Sequence, residues 1–320
     1  MSTDLTQLQK EIVSGLTAGT LTTLIVHPLD LIKIRLQLLV TSQNNSSGYA
    51  QIIKSLITSQ KNHPIKEIYR GLAINIFGNA IAWGLYFGFY RTFKDYLYNN
   101  YTLSLKDLPK SNLSSDSKDA QLTPLMYLTA SACSGISTTL ITNPIWVLKT
   151  RIMSTSVQNP DSYKSIKDGL TKLLRTEGIS SLWRGLIPSV FGVGQGAIYF
   201  MTYDSLKKKV LSYKIVKTSS AYEEISKNNS ISLNTFEIIS ITSLSKMFSV
   251  STTYPFQLIK SNLQSFNAYN HNYKLLQFIS TLYKKRGIRG FYKGLLTNLV
   301  RTVPSTCITF CTYECFKKHL

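Results

Sequence analysis

Apolar residues run along this chain in six long stretches, near 9–39, 71–98, 122–152, 186–211, 234–264 and 295–318. As helices rising about 1.5 Å per residue, each can cross a hydrocarbon layer of about 30 Å. No stretch holds twenty uninterrupted apolar residues. Gly, Ser, Thr and Asn punctuate them, the pattern of helices packed around a polar cavity. Residues 49–61 alternate apolar and polar at helical spacing, which predicts a short surface helix. It opens at Tyr49, and similar Tyr-led runs open at Tyr163 and Tyr273.

The pattern repeats three times, and a regular internal period sets the architecture. His27-Pro28-Leu29-Asp30-Leu31-Ile32-Lys33 returns as Asn143-Pro144-Ile145-Trp146-Val147-Leu148-Lys149 and as Tyr254-Pro255-Phe256-Gln257-Leu258-Ile259-Lys260. The prolines stand 116 and then 111 residues apart. Tyr69-Arg70-Gly71, Trp183-Arg184-Gly185 and Tyr292-Lys293-Gly294 follow them, with 43, 41 and 39 residues from Pro to Gly. A proline inside a helix removes a backbone hydrogen bond and favours a bend. The charged residues after each proline are then expected to converge. These markers divide the chain into repeats at 1–98, 122–211 and 233–320, joined by polar linkers at 99–121 and 212–232. The expected fold is an all-α membrane protein. It has six transmembrane helices in three pseudo-symmetric repeats, each with a short amphipathic helix.

Composition narrows the class. Of 320 residues 43% are hydrophobic and only 16% charged, against about 25% charged in soluble domains. The net charge of +20 is spread through all three repeats, without recognition-helix or zinc-finger spacing. That favours anionic lipid and an anionic solute over nucleic acid. Cys307, Cys311 and Cys315 share one side of a helix without metal-ligand spacing and read as packing residues. No nucleophile–base pair or phosphate-cradling loop points to an enzyme. Gly192-x-Gly194-x-Gly196 lacks the strand-turn-helix setting of a dinucleotide fold and reads as helix packing. The first residues lack both a secretory pattern and an Arg-rich transit pattern, so an organelle address would be internal. Nine residues before Pro144 stands Gly135, but nine before Pro255 stands Lys246. A lysine in an apolar helix is expected to face a cavity or a partner.

With these residues in view, the chain resembles the mitochondrial carrier family over essentially its whole length. The resemblance implies a monomer of six tilted helices around a water-filled cavity in the mitochondrial inner membrane. It has short helices on the matrix side, both termini in the intermembrane space, and alternating access. It implies a matrix gate of Asp30, Lys33, Lys149, Gln257 and Lys260, braced by Gln37 and Gln264, with Asp30 paired to Lys149. Gln257 can accept from Lys33, whereas Trp146, where an acid would stand, cannot accept from Lys260 through its indole N–H. The implied cytoplasmic gate is Lys94–Asp204 and Lys207–Glu314, with Lys317 facing Arg91. Two pairs against one predicts that closure of the cytoplasmic side is the better supported. Arg70-Gly71, Arg184-Gly185 and Lys293-Gly294 are implied binders of an anionic lipid such as cardiolipin.

The cargo follows from the same comparison. Pro144-Ile145-Trp146, Gln257 and the run Asn75–Gly88 are similar to the flavin- and folate-transporting branch, particularly its fungal FAD-carrying members. The implied function is transport of FAD or a related flavin nucleotide, as substrate and not cofactor. Alternatives are folate, then pyrimidine nucleotide or NAD, or a carrier-shaped scaffold. Family contact points map to Gly78, Gly192-Val193 and Arg301, with Lys246 added from the repeat comparison. Trp83, Tyr86 and Phe191 are candidate stacking surfaces for a flat ring. Arg301 is a permanently charged fork suited to phosphate.

Overall fold

The computed structural model describes residues 7–38, 64–104, 123–155, 162–163, 165–219, 233–265 and 274–319. The run at 49–61 lies outside these, as do Tyr49 and Tyr273. The described residues are helical throughout the long apolar stretches: α1 Gln7–Leu38, α3 Leu72–Ser104, α4 Pro124–Ser154, α8 Thr235–Gln264 and α10 Leu295–His319. The fourth stretch is divided into α6 Leu186–Val193 and α7 Gln195–Ser219. Shorter helices precede the even spans: α2 Pro64–Ile68, α5 Ile166–Glu177 and α9 Leu275–Arg286. Among the described residues, Leu72–Asn100 is the one segment apolar enough to qualify as a membrane span unaided. The others carry the polar residues that a central cavity needs.

The long helices form a ring. α1 packs on α10, α3 on α4, and α7 on α8, while α8 also touches α6 and α10. Pro28, Pro144 and Pro255 lie inside α1, α4 and α8, and these three helices touch pairwise. Their contacts lie beyond the prolines. Arg35 Nε donates to the Met153 carbonyl at 3.2 Å, Arg151 Nε to the Gln264 carbonyl at 3.1 Å, and Asn262 Nδ2 to the Gln37 carbonyl at 3.0 Å. Donors stand seven residues after each proline and acceptors nine after, so one bond is repeated around a pseudo-threefold axis. Among the described residues, α3, α7 and α10 make no extended contact with one another. The bundle is therefore closed at one end and open at the other.

A second ring lies outside the first. The residue before each proline reaches the carbonyl of the basic residue in the aromatic-basic-Gly motif. His27 Nε2 donates to Arg70 O at 3.0 Å, Asn143 Nδ2 to Arg184 O at 3.3 Å, and Tyr254 Oη to Lys293 O at 2.7 Å. Three chemically unlike side chains thus make one contact. The glycine after each carbonyl has a positive φ, at 80°, 70° and 85° for Gly71, Gly185 and Gly294. A Cβ at these positions would press on Met153, Gln264 and Tyr254, respectively.

The break in the fourth span is a departure from the sequence reading of continuous helix packing. Gly192, Gly194 and Gly196 leave the backbone few side-chain restraints, and the helix turns at Gly194. Ser249 Oγ donates to the Gln195 carbonyl at 2.6 Å. The same stretch is one residue shorter than its counterparts, counted from motif Gly to Asp204, Arg91 or Glu314.

Gly185→Ala should destabilise the protein by about 1–2 kcal/mol, from the left-handed backbone alone. Its Cβ would lie 3.2 Å from the Lys260 carbonyl, which cannot swing aside as a side chain can. Thermal unfolding in detergent should show a lower midpoint than wild type; an unchanged midpoint would contradict this account.

Candidate functional site

The proline-bearing helices bring charged residues from three distant parts of the chain to the floor of one cavity. Its lower chamber, about 370 Å³, is lined by Lys33, Lys149, Lys260 and Arg301 and by one carboxylate, Asp30. The upper chamber, about 650 Å³, opens above it and is lined by Lys246, Tyr199, Gln195, Asn298 and several threonines. Lys33, Gln257, Arg301 and Ser305 line both. Four cations to one anion in the lower chamber make a strong receptor for negative charge, because fields are focused in clefts with low-dielectric walls.

Asp30 pairs with Arg301, not with Lys149. The Arg301 Nη1–Asp30 Oδ1 bond crosses from α10 to α1, with side-chain exposures of 29% and 15%. This corrects the expected Asp30–Lys149 pair. Arg301, a longer and forked side chain descending from α10, reaches the carboxylate that the repeat pattern assigns to Lys149. The Arg301 Nε has no acceptor among the described residues.

Trp146 fills the place of the second acid in an unexpected way. Lys149 Nζ lies 4.9 Å and Lys260 Nζ 5.9 Å from its ring centroid. Cations within about 6 Å of an indole face gain roughly 0.5–2 kcal/mol, depending on desolvation. The indole N–H, unable to accept a bond, donates instead to Thr142 Oγ1 at 3.1 Å. At the third position Lys33 Nζ donates to Gln257 Oε1 at 3.4 Å, and Gln257 Nε2 donates to Gln195 Oε1 at 2.8 Å. One ion pair, one cation–aromatic cluster and one amide relay therefore hold the three equivalent positions.

Below them, Gln37 Nε2 donates to Tyr254 Oη at 3.2 Å, and Thr150 Oγ1 donates to Gln264 Oε1 at 3.0 Å. Met153 packs against Gly71 at the corresponding place. Two buried ion pairs add to this layer. Arg35 Nη2 meets Glu67 Oε1 at 2.5 Å, and Arg151 meets Glu177 through both guanidinium nitrogens. Sequence reasoning missed these four residues, although Arg35, Arg151 and Asn262 recur as polar residues inside apolar runs. It also missed Gln195 and Tyr199. The closed end thus rests on far more than one ion pair.

Other expected residues lie elsewhere. Lys246 faces the upper chamber, its Nζ 5.6 Å from the Tyr199 ring centroid. Gly78 is behind the cavity wall, where a Cβ would stand 3.0 Å from Ile145 and 3.4 Å from Trp146. Val193 packs into the space left by Gly135, and neither it nor Gly192 lines either chamber. Phe191, 60% exposed, stacks on Phe256. Trp83, also 60% exposed, stacks on Phe87, and Tyr86 bonds Ser131. Trp83, Tyr86 and Phe191 are absent from both chamber linings. The sequence offered their aromaticity but not their direction around the helix.

At the open end Asp204 and Lys207 are exposed, and no ion pair joins Asp204 to Lys94 among the described residues. The side chains of Glu314 and Lys317 lie outside the described set. The observed state is therefore closed at the end for which the sequence predicted the weaker closure. Arg70 is also corrected as a lipid ligand: it is 8% exposed and donates to Ile152 O at 2.6 Å and Tyr163 O at 3.1 Å. Arg184 keeps partial exposure beside Glu177, 3.3 Å away, and Lys293 is half-buried.

The threefold repeat is also present at the level of family similarity. A family model described as "Mitochondrial carrier protein" matches residues 5–101, 120–214 and 232–320. The chain belongs to the mitochondrial carrier family. The carrier is 49% identical to the mitochondrial FAD carrier protein of Saccharomyces cerevisiae, with 98% of both chains covered. It is 32% identical to the mitochondrial nicotinamide adenine dinucleotide transporter 2 of Arabidopsis thaliana, covering 94% of this chain and 77% of that one. Identity to the chloroplastic folate transporter 1 of the same plant is 29%, covering 94% and 92%. The six long helices are thus the transmembrane helices of a mitochondrial carrier, one repeat to each pair.

In a double-mutant cycle, Asp30→Asn and Arg301→Gln should couple by about 1–3 kcal/mol in unfolding free energy. Asp30→Asn with Lys149→Gln should couple less. The reverse order, measured by thermal unfolding in detergent, would restore the Asp30–Lys149 pairing.

Proposed function

We propose that this carrier transports FAD, or a closely related flavin nucleotide, across the mitochondrial inner membrane by alternating access. The observation that carries the reading is the cavity itself. Lys33, Lys149, Lys260 and Arg301 face one carboxylate, and the rings of Trp146, Tyr199 and Phe310 line the same two chambers. FAD has two phosphates and two flat ring systems, so one cargo would satisfy both features. Half-identity to an FAD carrier over nearly the whole chain supports the choice over folate and NAD, whose named carriers share about a third of the residues or fewer.

In this reading the closed end faces the matrix, and both termini face the intermembrane space. Cargo enters from the open side and its phosphates draw on Arg301 and Lys33. Arg301 has a buried Nε without an acceptor and, among the described residues, an ion pair with Asp30 alone. Binding of anionic groups would redistribute the pairs that hold the floor, and the cytoplasmic residues Lys94, Asp204, Lys207 and Glu314 would then meet. The protein works as a transporter, as a monomer, with no chemical step. Anionic lipid, such as cardiolipin, is proposed at the N-termini of α3, α6 and α10, with Arg184 and Lys293 as side-chain contributors and Arg70 as a structural support.

Purified protein in liposomes should take up labelled FAD in preference to FMN, folate, NAD and UTP. Folate uptake without FAD would overturn the cargo, and uptake of none would overturn the transport reading. Arg301→Ala should reduce FAD uptake by at least about tenfold, the scale of a lost charged hydrogen bond of 1.5–3 kcal/mol, while the protein remains folded. Near-normal uptake would remove Arg301 from the cargo site.

A further inference from the structure

The Trp146 indole sits where two requirements of this carrier meet. It lines the lower chamber, so cargo can reach it, and the ammonium groups of Lys149 and Lys260 lie over its ring. Lys260 lies on α8 and Trp146 on α4, so this contact ties two proline-bearing helices together. The ring is held in orientation. Its N–H donates to Thr142, one turn back, and its outer edge rests over Gly78, where a Cβ would come within 3.4 Å. A fixed, half-buried aromatic plane at a cavity floor is a stacking surface.

We propose that Trp146 is the specificity-determining platform of this carrier. A flat ring of the cargo stacks on the indole in place of the lysines, and so releases the contact between α4 and α8. The inference rests on the cargo reading above and adds to it a place for a ring and a consequence of its binding.

The physical reason lies in the exchange. A carboxylate at this position would bind the lysines through charge, and a neutral ring could not compete for it. An aromatic face attracts a cation through its quadrupole and a flat ring by stacking. The two occupants therefore exclude each other on the same surface. The freed ammonium groups stay within the chamber, where cargo phosphates can receive them. A phosphate compound without a ring can engage Arg301 and Lys33 but leaves the indole face to the lysines. Floor opening is then conditional on the ring, which lets a cavity with four cations refuse small phosphates. Trp83, Tyr86 and Phe191 are not needed for this, which agrees with their absence from the chamber walls.

The test compares equilibrium binding of FAD and of inorganic pyrophosphate to the full-length protein in detergent. Trp146→Leu should weaken FAD by about tenfold or more, the scale of a lost stacking contact, and leave pyrophosphate within about twofold. Trp146→Phe should recover most of the FAD affinity. Trp146→Glu, whose carboxylate would pair with Lys149 and Lys260, should slow uptake into liposomes by about tenfold or more at saturating FAD. Equal FAD affinity in the Leu variant, or parallel loss of both ligands, would overturn the platform. Undiminished uptake in the Glu variant would overturn the release step. If the Leu variant does not fold, the Phe variant decides: a few-fold loss confined to FAD supports the platform, and no loss or an equal loss of both ligands rejects it. Wild-type protein that binds pyrophosphate but no FAD, folate or NAD would reject the cargo reading and this inference with it, whereas wild-type binding with indifferent variants rejects the inference alone.

Discussion

The closed end of the carrier depends on one bond made three times. A side chain seven residues after each proline donates to a carbonyl nine residues after the next. The acceptors are the last-turn carbonyls of helices, which have no partner within their own helix and carry the negative end of its dipole. Arg35 and Arg151 bring a positive charge to two of them. Burying such a charge is costly without a counter-ion, and Glu67 and Glu177 supply it. At the third position the donor is the neutral Asn262, and eight residues before its motif glycine stands Arg286 where repeat two has Glu177. The cationic donor and its acid are replaced together, and the neutral Asn262 needs no counter-ion at the ring.

Everything above that ring is conditional on it. The outer bonds from His27, Asn143 and Tyr254 fix the loops that carry the positive-φ glycines. Those loops in turn wedge the glycines against the helix ends. With the ends locked, the residues one and two turns earlier are forced to share a floor. That is why Lys33, Lys149 and Lys260 come together despite their mutual repulsion. The repulsion is moderated by three different devices: Asp30 with Arg301, the Trp146 face, and the Gln257–Gln195 relay. A cavity in this condition gains by admitting an anion, and its resting state already holds the cations where the anion must go.

Much of this was legible in the chain. The three prolines, the three basic-Gly motifs and the six apolar stretches specify the helix count, the repeat and the polar interior, because these are periodic and local properties. The charged layer was legible by position: Asp30, Lys33, Lys149, Gln257 and Lys260 line one chamber. Lys246 was legible as a lysine that breaks a small-residue pattern. Partners were not legible. Pairing depends on which side chain reaches farthest across a cavity, and sequence alignment of repeats carries no such distance.

By itself, then, the sequence determined the class of protein, its threefold plan and the residues that stand in its charged layer, since periodicity and composition act along the chain. Only the tertiary structure decided how they are spent. Arg301 turns to Asp30 because the α10–α1 packing brings the two within contact. Arg70 is consumed by backbone carbonyls of the next repeat. The aromatics at Trp83, Tyr86 and Phe191 lie off the chamber walls, while Trp146, set aside for its missing acceptor, offers its face to two lysines. These outcomes turn on helix rotation and on contacts between residues far apart in the chain, 271 positions for Arg301–Asp30 and 82 for Arg70–Ile152, which no local pattern encodes.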